Sequence, residues 1–201
     1  FGTLPTTPQT EVWELELGRW QRKAALPRGS YAGVAAYLAA LGGVVVHATH
    51  DVSAAPRETD TRLWAGVPGG AASWSTPRLG AGSPDRLGHA LSPTPLGDAL
   101  FLFGGVDSAG RAPQQLGRFD AAGWSSVATR SRPPAHLWSV MTPDPSRGDI
   151  VMFDATSSQI WSLDPRMFAW SHLDVARGGP PALSEARLGR VEGDLWLFGG
   201  G

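Results

Sequence analysis

Gly97-Asp98-Ala99-Leu100-Phe101-Leu102-Phe103-Gly104-Gly105, followed nineteen residues later by Trp124, is the stretch from which the rest of the chain can be read. It is an apolar strand introduced by Gly-Asp and closed by two glycines, which permit positive φ and let neighbouring backbone approach closely. The pattern returns at Gly193-Asp194-Leu195-Trp196-Leu197-Phe198-Gly199-Gly200. Two further copies lack the closing glycine pair: Gly148-Asp149-Ile150-Val151-Met152-Phe153-Asp154-Ala155, and Gly42-Gly43-Val44-Val45-Val46-His47-Ala48-Thr49. Trp124 belongs to a ladder of its own with Trp20, Trp74 and Trp170, spaced by 54, 50 and 46 residues. A period near 50 means that one supersecondary unit has been copied along the chain.

Outward from these marks the unit fills in. Before each ladder tryptophan lies a short segment with apolar–polar alternation: Glu11–Leu15, Arg62–Trp64, Leu116–Asp120 and Ile160–Asp164. Such alternation suits a strand with one buried face. Turn residues (Leu17-Gly18-Arg19, Asp120-Ala121-Ala122-Gly123, Asp164-Pro165-Arg166) then lead into the Trp-bearing strand, making each pair a hairpin. Upstream of each apolar strand stands another of small and mixed residues: Tyr31–Val34, His89–Ser92, Ser139–Thr142 and, more loosely, Ala186–Gly189. Each unit therefore holds four short antiparallel strands. A lone four-stranded sheet cannot bury both faces, so the copies are expected to pack face to face, with Trp and Phe filling the space between them.

The unit resembles the kelch repeat. The first strand is led by Arg86-Leu87-Gly88-His89, the second ends in Phe103-Gly104-Gly105, the third centres on Trp or Phe, and the fourth opens with Trp. Ala48-Thr49 and Asp154-Ala155 depart from the glycine pair and put the geometry of those turns in question. The resemblance implies an all-β, kelch-type β-propeller of four-stranded antiparallel blades, either partial, with about four repeats, or a small closed ring. Residues 1–27 read as half a blade, 28–77, 84–128 and 132–175 as whole blades, and 181–201 as a second half. The chain thus starts and stops in mid-blade. That phase favours a piece of a longer propeller, with further blades of the same parent chain, over two halves that close a fourth blade.

Composition narrows the function classes. A formal net charge of −1 and 17% charged residues provide no global field for nucleic acid or an acidic membrane. No apolar run approaches the roughly 20 residues needed to span a bilayer as a helix. Cysteine is absent, which excludes disulfides and thiolate metal sites and fits a reducing, intracellular compartment. Sixteen of the seventeen basic residues are Arg, so an anion-binding surface would use forked, planar donors.

No catalytic set is assignable. His47-Ala48-Thr49-His50-Asp51 is the one run of metal-ligand residue types, but an extended backbone points His47 and His50 to opposite faces. No metal or other cofactor is expected. Nor do the histidines and serines fall in a recognisable nucleophile setting. A copper-radical oxidase site of the kind found on some kelch-type propellers needs a cysteine this chain lacks.

Candidate binding residues come from the loops. Arg28 and Arg86 each stand three residues before a first-strand residue, Tyr31 or His89, and His136 takes that place in the third copy. The kelch resemblance implies that this position lies near one mouth of the central channel, where arginines bind acidic groups of a partner. Arg is suited to this by bidentate hydrogen bonding to carboxylates. Loops joining strands two and three flank the same face: His50–Thr61, with His50, Asp51 and Arg57; Val106–Gln115, with Arg111; and Thr156–Gln159. Long polar loops of this kind tend to carry function. The expected function is a protein–protein interaction scaffold presenting these loops to a protein or peptide partner, the arginines pointing to an acidic one. The alternative is a carbohydrate-binding or enzymatic propeller that uses the channel mouth, with Tyr31 and Trp138 as stacking aromatics.

Overall fold

The computed structural model describes residues 10–30, 32–51, 58–65, 73–175, 178–183 and 185–199. They form three four-stranded antiparallel meanders and two hairpins. The hairpin β1 (Trp13–Glu16) and β2 (Arg19–Arg22) comes first. Blade A follows with β3 (Ala32–Leu38), β4 (Gly43–Asp51), β5 (Glu58–Ala65) and β6 (Ser73–Ser75). Blade B holds β7 (Leu87–Pro93), β8 (Leu100–Val106), β9 (Leu116–Asp120) and β10 (Gly123–Val127). Blade C holds β11 (Val140–Asp144), β12 (Asp149–Asp154), β13 (Gln159–Asp164) and β14 (Ala169–Leu173). A last hairpin joins β15 (Arg187–Val191) to β16 (Asp194–Phe198). One 3₁₀ turn, Ala39–Leu41, links β3 to β4.

The innermost strands β3, β7, β11 and β15 lie side by side in chain order, so the sheets fan out from a common hub. This is a propeller-like arrangement of blades. The ring does not close: β1–β2 and β15–β16 remain separate two-stranded sheets, each paired only within itself. The small closed ring held open by the sequence is therefore not what the described residues form.

One apolar core fills the space between each pair of successive blades. Between A and B it contains Leu38, Val45, Leu91, Leu100, Leu102, Phe119 and Trp124; between B and C it contains Phe101, Phe103, Leu116, Met141, Ile150, Met152 and Trp170. β8 explains why its sequence is apolar throughout. Leu100 and Leu102 face blade A, Phe101 and Phe103 face blade C, and the strand is buried on both sides. At roughly 1.5–3 kcal/mol per fully buried large side chain, this strand is a principal contributor to cohesion between blades.

The ladder tryptophans seal these interfaces in one direction. The Trp74 indole donates to the Ala24 carbonyl of the preceding hairpin connection (2.9 Å), and that of Trp124 donates to Thr61 Oγ1 of blade A (2.8 Å). The Trp170 ring packs on Phe103 of blade B, with centroids 5.0 Å apart. Trp20, which has no described blade before it, is exposed.

The closing glycines also serve an interface. Gly104 and Gly105 both have positive φ, and a Cβ on Gly104 would lie 2.8 Å from the His136 carbonyl oxygen. Gly105 N–H donates to that same oxygen at 2.9 Å, so the lead-in segment of blade C is held by the end of β8. The copies without glycines make the same junction with other groups. Thr49 Oγ1 donates to the Arg86 carbonyl (3.0 Å), and Leu183 N–H donates to the Ala155 carbonyl (3.1 Å). The departures from Gly-Gly change the chemistry of the junction and keep its place.

One boundary differs from the sequence reading. His50–Thr61 reads as a long polar loop, but β4 runs to Asp51, β5 begins at Glu58, and the two strands pair through a register shift after Thr49. The polar residues there have partners in the segment that leads to blade B. Thr59 donates to the Ser83 carbonyl, and Thr61 exchanges a hydroxyl bond with Ser83 Oγ at 2.8 Å.

Candidate functional site

Strand polarity places the lead-in segments, the β4–β5, β8–β9 and β12–β13 connections, and the hub mouth at one end of the fan. The three basic residues singled out by their repeat position share one structural job there. Each reaches from the lead-in segment of its blade to the loop-face end of that blade: the start of the third strand, the connection before it, or the end of the second strand. Arg28 pairs with Glu58. Arg86 Nη1 donates to the Pro113 carbonyl at 3.1 Å. His136 Nδ1 meets Asp154 Oδ2 at 2.8 Å.

The ties differ in depth. Arg28 is largely exposed, whereas Arg86 is buried, with 6% of its surface accessible. Burial lowers the Arg86 pKa, and the carboxylates of Asp107 and Asp85 oppose the shift; it stays a cation. Asp85 adds a strut by accepting the Ser108 N–H at 2.9 Å. Asp154 is fully buried and also accepts the Thr156 N–H and the Ser157 hydroxyl.

Arg111 lies on the same face, in the β8–β9 connection. Its Nε and Nη2 contact Asp107 Oδ2 at 2.9 and 2.8 Å, and its side chain is 78% exposed. Asp107 also accepts the amides of Ala109 and Arg111, which closes the loop on itself. The Arg111 hydrogen bond holds the Asp107 carboxyl below its ordinary range. His50 is buried instead of presented: Nδ1 contacts the Gly29 carbonyl at 2.7 Å, and Nε2 lies 3.7 Å from Asp60 Oδ2. The backbone of Asp51 ends β4, its side chain lies outside the described residues, and so do Arg57 and Tyr31. The structure thus brings Arg28, Arg86, Arg111 and His136 to one face and draws His50 into the scaffold. Among the described residues no three His, Asp or Glu side chains gather as a metal-binding group.

Beneath this face lies an arrangement that sequence reading missed. The β3, β7 and β11 strands and the segment leading to β15 line a cavity of about 510 Å³ at the hub. His89 and Ser139 border it, with 5% and 2% of their surfaces accessible. Neither ring nitrogen of His89, nor Ser139 Oγ, has a hydrogen-bond partner among the described residues. The Arg86 backbone lies close enough to favour a proton on the His89 ring. Trp138, Glu185 and Arg187 also line the cavity. Trp138 and Glu185 take positive φ (65° and 55°), the conformation that Gly88 adopts one blade earlier (67°). Non-glycine residues held there are strained.

His89 stacks at a tilt on His47, with ring centroids 4.8 Å apart, and the Trp124 ring lies 5.3 Å from His47. His47 takes the place that Phe103 takes in the next blade, against the ladder tryptophan of the blade that follows. Its Nε2 contacts the Pro84 carbonyl and its Nδ1 contacts Thr61 Oγ1, both at 3.1 Å. A carbonyl can only accept, so Nε2 carries the proton and Nδ1 accepts from the Thr61 hydroxyl. Burial lowers the His47 pKa to about 4, against the pull of the Pro84 and Asp60 backbone and the Asp60 charge. Burial, reinforced by His47, sets His89 well below its ordinary value. The signal available in sequence was a histidine closing the run Val44-Val45-Val46.

No protein-family model matches the chain, and no curated protein matches it either.

Proposed function

We propose that the chain is a protein-interaction scaffold that presents the loop face of a kelch-like propeller to an acidic protein or peptide. The observation that carries this reading is the repeated tie of Arg28 to Glu58, Arg86 to Pro113 and His136 to Asp154. A tie from the same lead-in position in three blades fixes the start of β5, the β8–β9 connection and the end of β12 relative to the hub. Such preorganisation lowers the ordering cost of binding. Arg28 and Arg111 remain largely exposed, and a guanidinium with five donors keeps some free after pairing with one carboxylate. They are the surface's contacts for partner carboxylates, and binding weakens as salt rises.

An array of acidic peptides tests this reading. The wild-type chain should select a subset of peptides. The double substitution Arg28→Ala and Arg111→Ala should weaken that binding by up to about 30-fold, taking roughly 1 kcal/mol for each exposed charge pair. Arg118→Ala, in the middle of β9 with its guanidinium paired to Asp120 at the far turn, is the control and should bind normally. A folded wild-type chain that selects no acidic peptide, or a double variant that binds unchanged, refutes the proposal.

A further inference from the structure

We infer that the apolar groove in front of blade A is filled by the β15–β16 hairpin of a second copy of this chain, so that two copies exchange hairpins and complete two mixed four-stranded blades. The two flanks of the fan are involved, and the peptide-binding reading is not.

The groove, of about 640 Å³, lies between the β1–β2 hairpin and blade A, and Val12, Val44, Val46, Trp64 and Trp74 are among the residues that line it. Blade A carries there the set with which the other blades receive their predecessors. Strand pairing aligns Val44, Trp64 and Trp74 with Leu100, Phe119 and Trp124 of blade B and with Ile150, Leu163 and Trp170 of blade C. In blade C that face is covered by Phe101 and Phe103 of β8, which meet Phe168 and Trp170 at centroid distances of 6.1 and 5.0 Å. In front of blade A no described strand does this. The Trp74 indole ties the β1–β2 connection to the blade through Ala24, and the place of a first and second strand beside β1 is left as the groove.

The missing pair stands at the other flank. β15 packs beside β11, and Arg190 anchors it to Asp144 (2.5 Å) and Ser146 (3.0 Å) of blade C. Matched at the closing Phe-Gly, Trp196 and Phe198 of β16 stand where Phe101 and Phe103 stand in β8. Both are about half exposed, and their rings stack with centroids 6.1 Å apart, so they present one aromatic face to solvent. The edges match as well. Leu15 pairs with Trp20 as Phe119 pairs with Trp124, so the β8–β9 register of Leu100 with Phe119 sets Leu195 opposite Leu15. Adding β16 to β1 in that register completes a blade, with main-chain hydrogen bonds alongside the side-chain burial. Leu15 and Trp20, both exposed, then face blade C of the donor as Phe119 and Trp124 face blade A. The hairpin is seated across three blades from its own groove, so the occupant comes from another copy. Reciprocal exchange leaves neither flank open. At roughly 150–250 Å² per aromatic side chain, covering the exposed parts of Trp20, Trp196 and Phe198 at both junctions removes on the order of 700 Å². Leu15, Leu195 and the groove surface bring the total towards the roughly 1,200–2,000 Å² of a stable interface.

Light scattering after size exclusion, on the whole chain over a range of protein concentration, should show a dimer. Trp196→Ser combined with Phe198→Ser should weaken association by roughly 100-fold or more, with the circular dichroism spectrum unchanged because both side chains are exposed. Cysteine is absent from the chain, so Leu15→Cys and Leu195→Cys each introduce a single thiol. Oxidising a mixture of these two variants should give a disulfide between positions 15 and 195 as the main covalent dimer, a link that forms only between separate chains. The inference is overturned if the wild-type chain is monomeric, if the double variant associates unchanged, or if the mixture shows no excess of the mixed disulfide over the two homodimeric ones. A chain carrying both cysteines that closes on itself as a monomer overturns it too, because the hairpin then fills its own groove.

Discussion

Lowering the pH from 7.5 to 5.0 will destabilise this protein through His47 and His89. The folded state keeps both rings neutral, because burial lowers His47 to about 4 and His89 well below its ordinary value. The unfolded chain has no such constraint and takes up protons below pH 6.5. Stability is therefore unaffected by this pair above pH 6.5. It falls as pH drops below that value, until each folded-state pKa is passed. A histidine held neutral contributes a slope of about 1.4 kcal/mol per pH unit, so His47, lowered to about 4, contributes about 2 kcal/mol of destabilisation by pH 5.0, and His89 adds to it in the same direction. That is a large share of the roughly 5–15 kcal/mol by which domains are stable. Asp60 favours a charge on His47 and Arg86 opposes one on both rings; burial outweighs both carboxylate and guanidinium.

Urea unfolding followed by tryptophan fluorescence measures the effect. With a slope of about 2 kcal/mol per molar urea, the midpoint should fall by at least about 1 M between pH 7.5 and pH 5.0. His47→Phe is the discriminating variant, because Phe103 already occupies the corresponding place in the next blade. It orphans the Pro84 carbonyl and should lower stability at pH 7.5 by roughly 1–3 kcal/mol. It should also remove about 2 kcal/mol of the decrease between pH 7.5 and 5.0. Parallel decreases in wild type and variant would refute the assignment of the acid sensitivity to this pair.

Two further substitutions probe the interfaces between blades. Gly105→Ala should destabilise the fold by at least about 2 kcal/mol more than Gly110→Ala in urea unfolding: both glycines have positive φ, but a Cβ on Gly105 meets the Leu87 carbonyl oxygen at 2.6 Å and one on Gly110 meets nothing. Trp124→Phe should lower stability by about 1 kcal/mol more than Trp170→Phe in the same assay. The indoles are equally buried, but only that of Trp124 makes a hydrogen bond, to Thr61.

The fold was legible in the sequence because it is written in features that burial enforces. β8 is apolar since blades flank it on both faces, and Trp124 and Trp170 recur because each closes an equivalent interface. The loop ties were half legible. The recurrence of Arg28, Arg86 and His136 is visible in the residues, but the partner of Arg86 is the backbone carbonyl of Pro113, which no side-chain pattern announces. The hub cavity was legible only at Trp138, read as an aromatic at the channel mouth. His89, Ser139 and Glu185 stand at the starts of three different inner strands about 50 residues apart in sequence, and only the fan brings them together. Strand β4 outran its sequence reading for a related reason: the polar side chains near its end and at the start of β5 are satisfied by residues 83 and 84 of another blade's lead-in segment.

The one-way reach of the ladder tryptophans has a consequence for how the chain matures on the ribosome. Thr61 and Phe103 each wait for an aromatic ring encoded roughly 65 residues downstream, Trp124 and Trp170 respectively. At about 5–20 residues per second, a blade emerges some 3–13 s before its far face can be sealed. Each blade is thus a temporary sticky surface whose cover is the next one to be made, and a slow codon tract between β8 and Trp170 would lengthen the exposure of Phe103 without altering the finished structure.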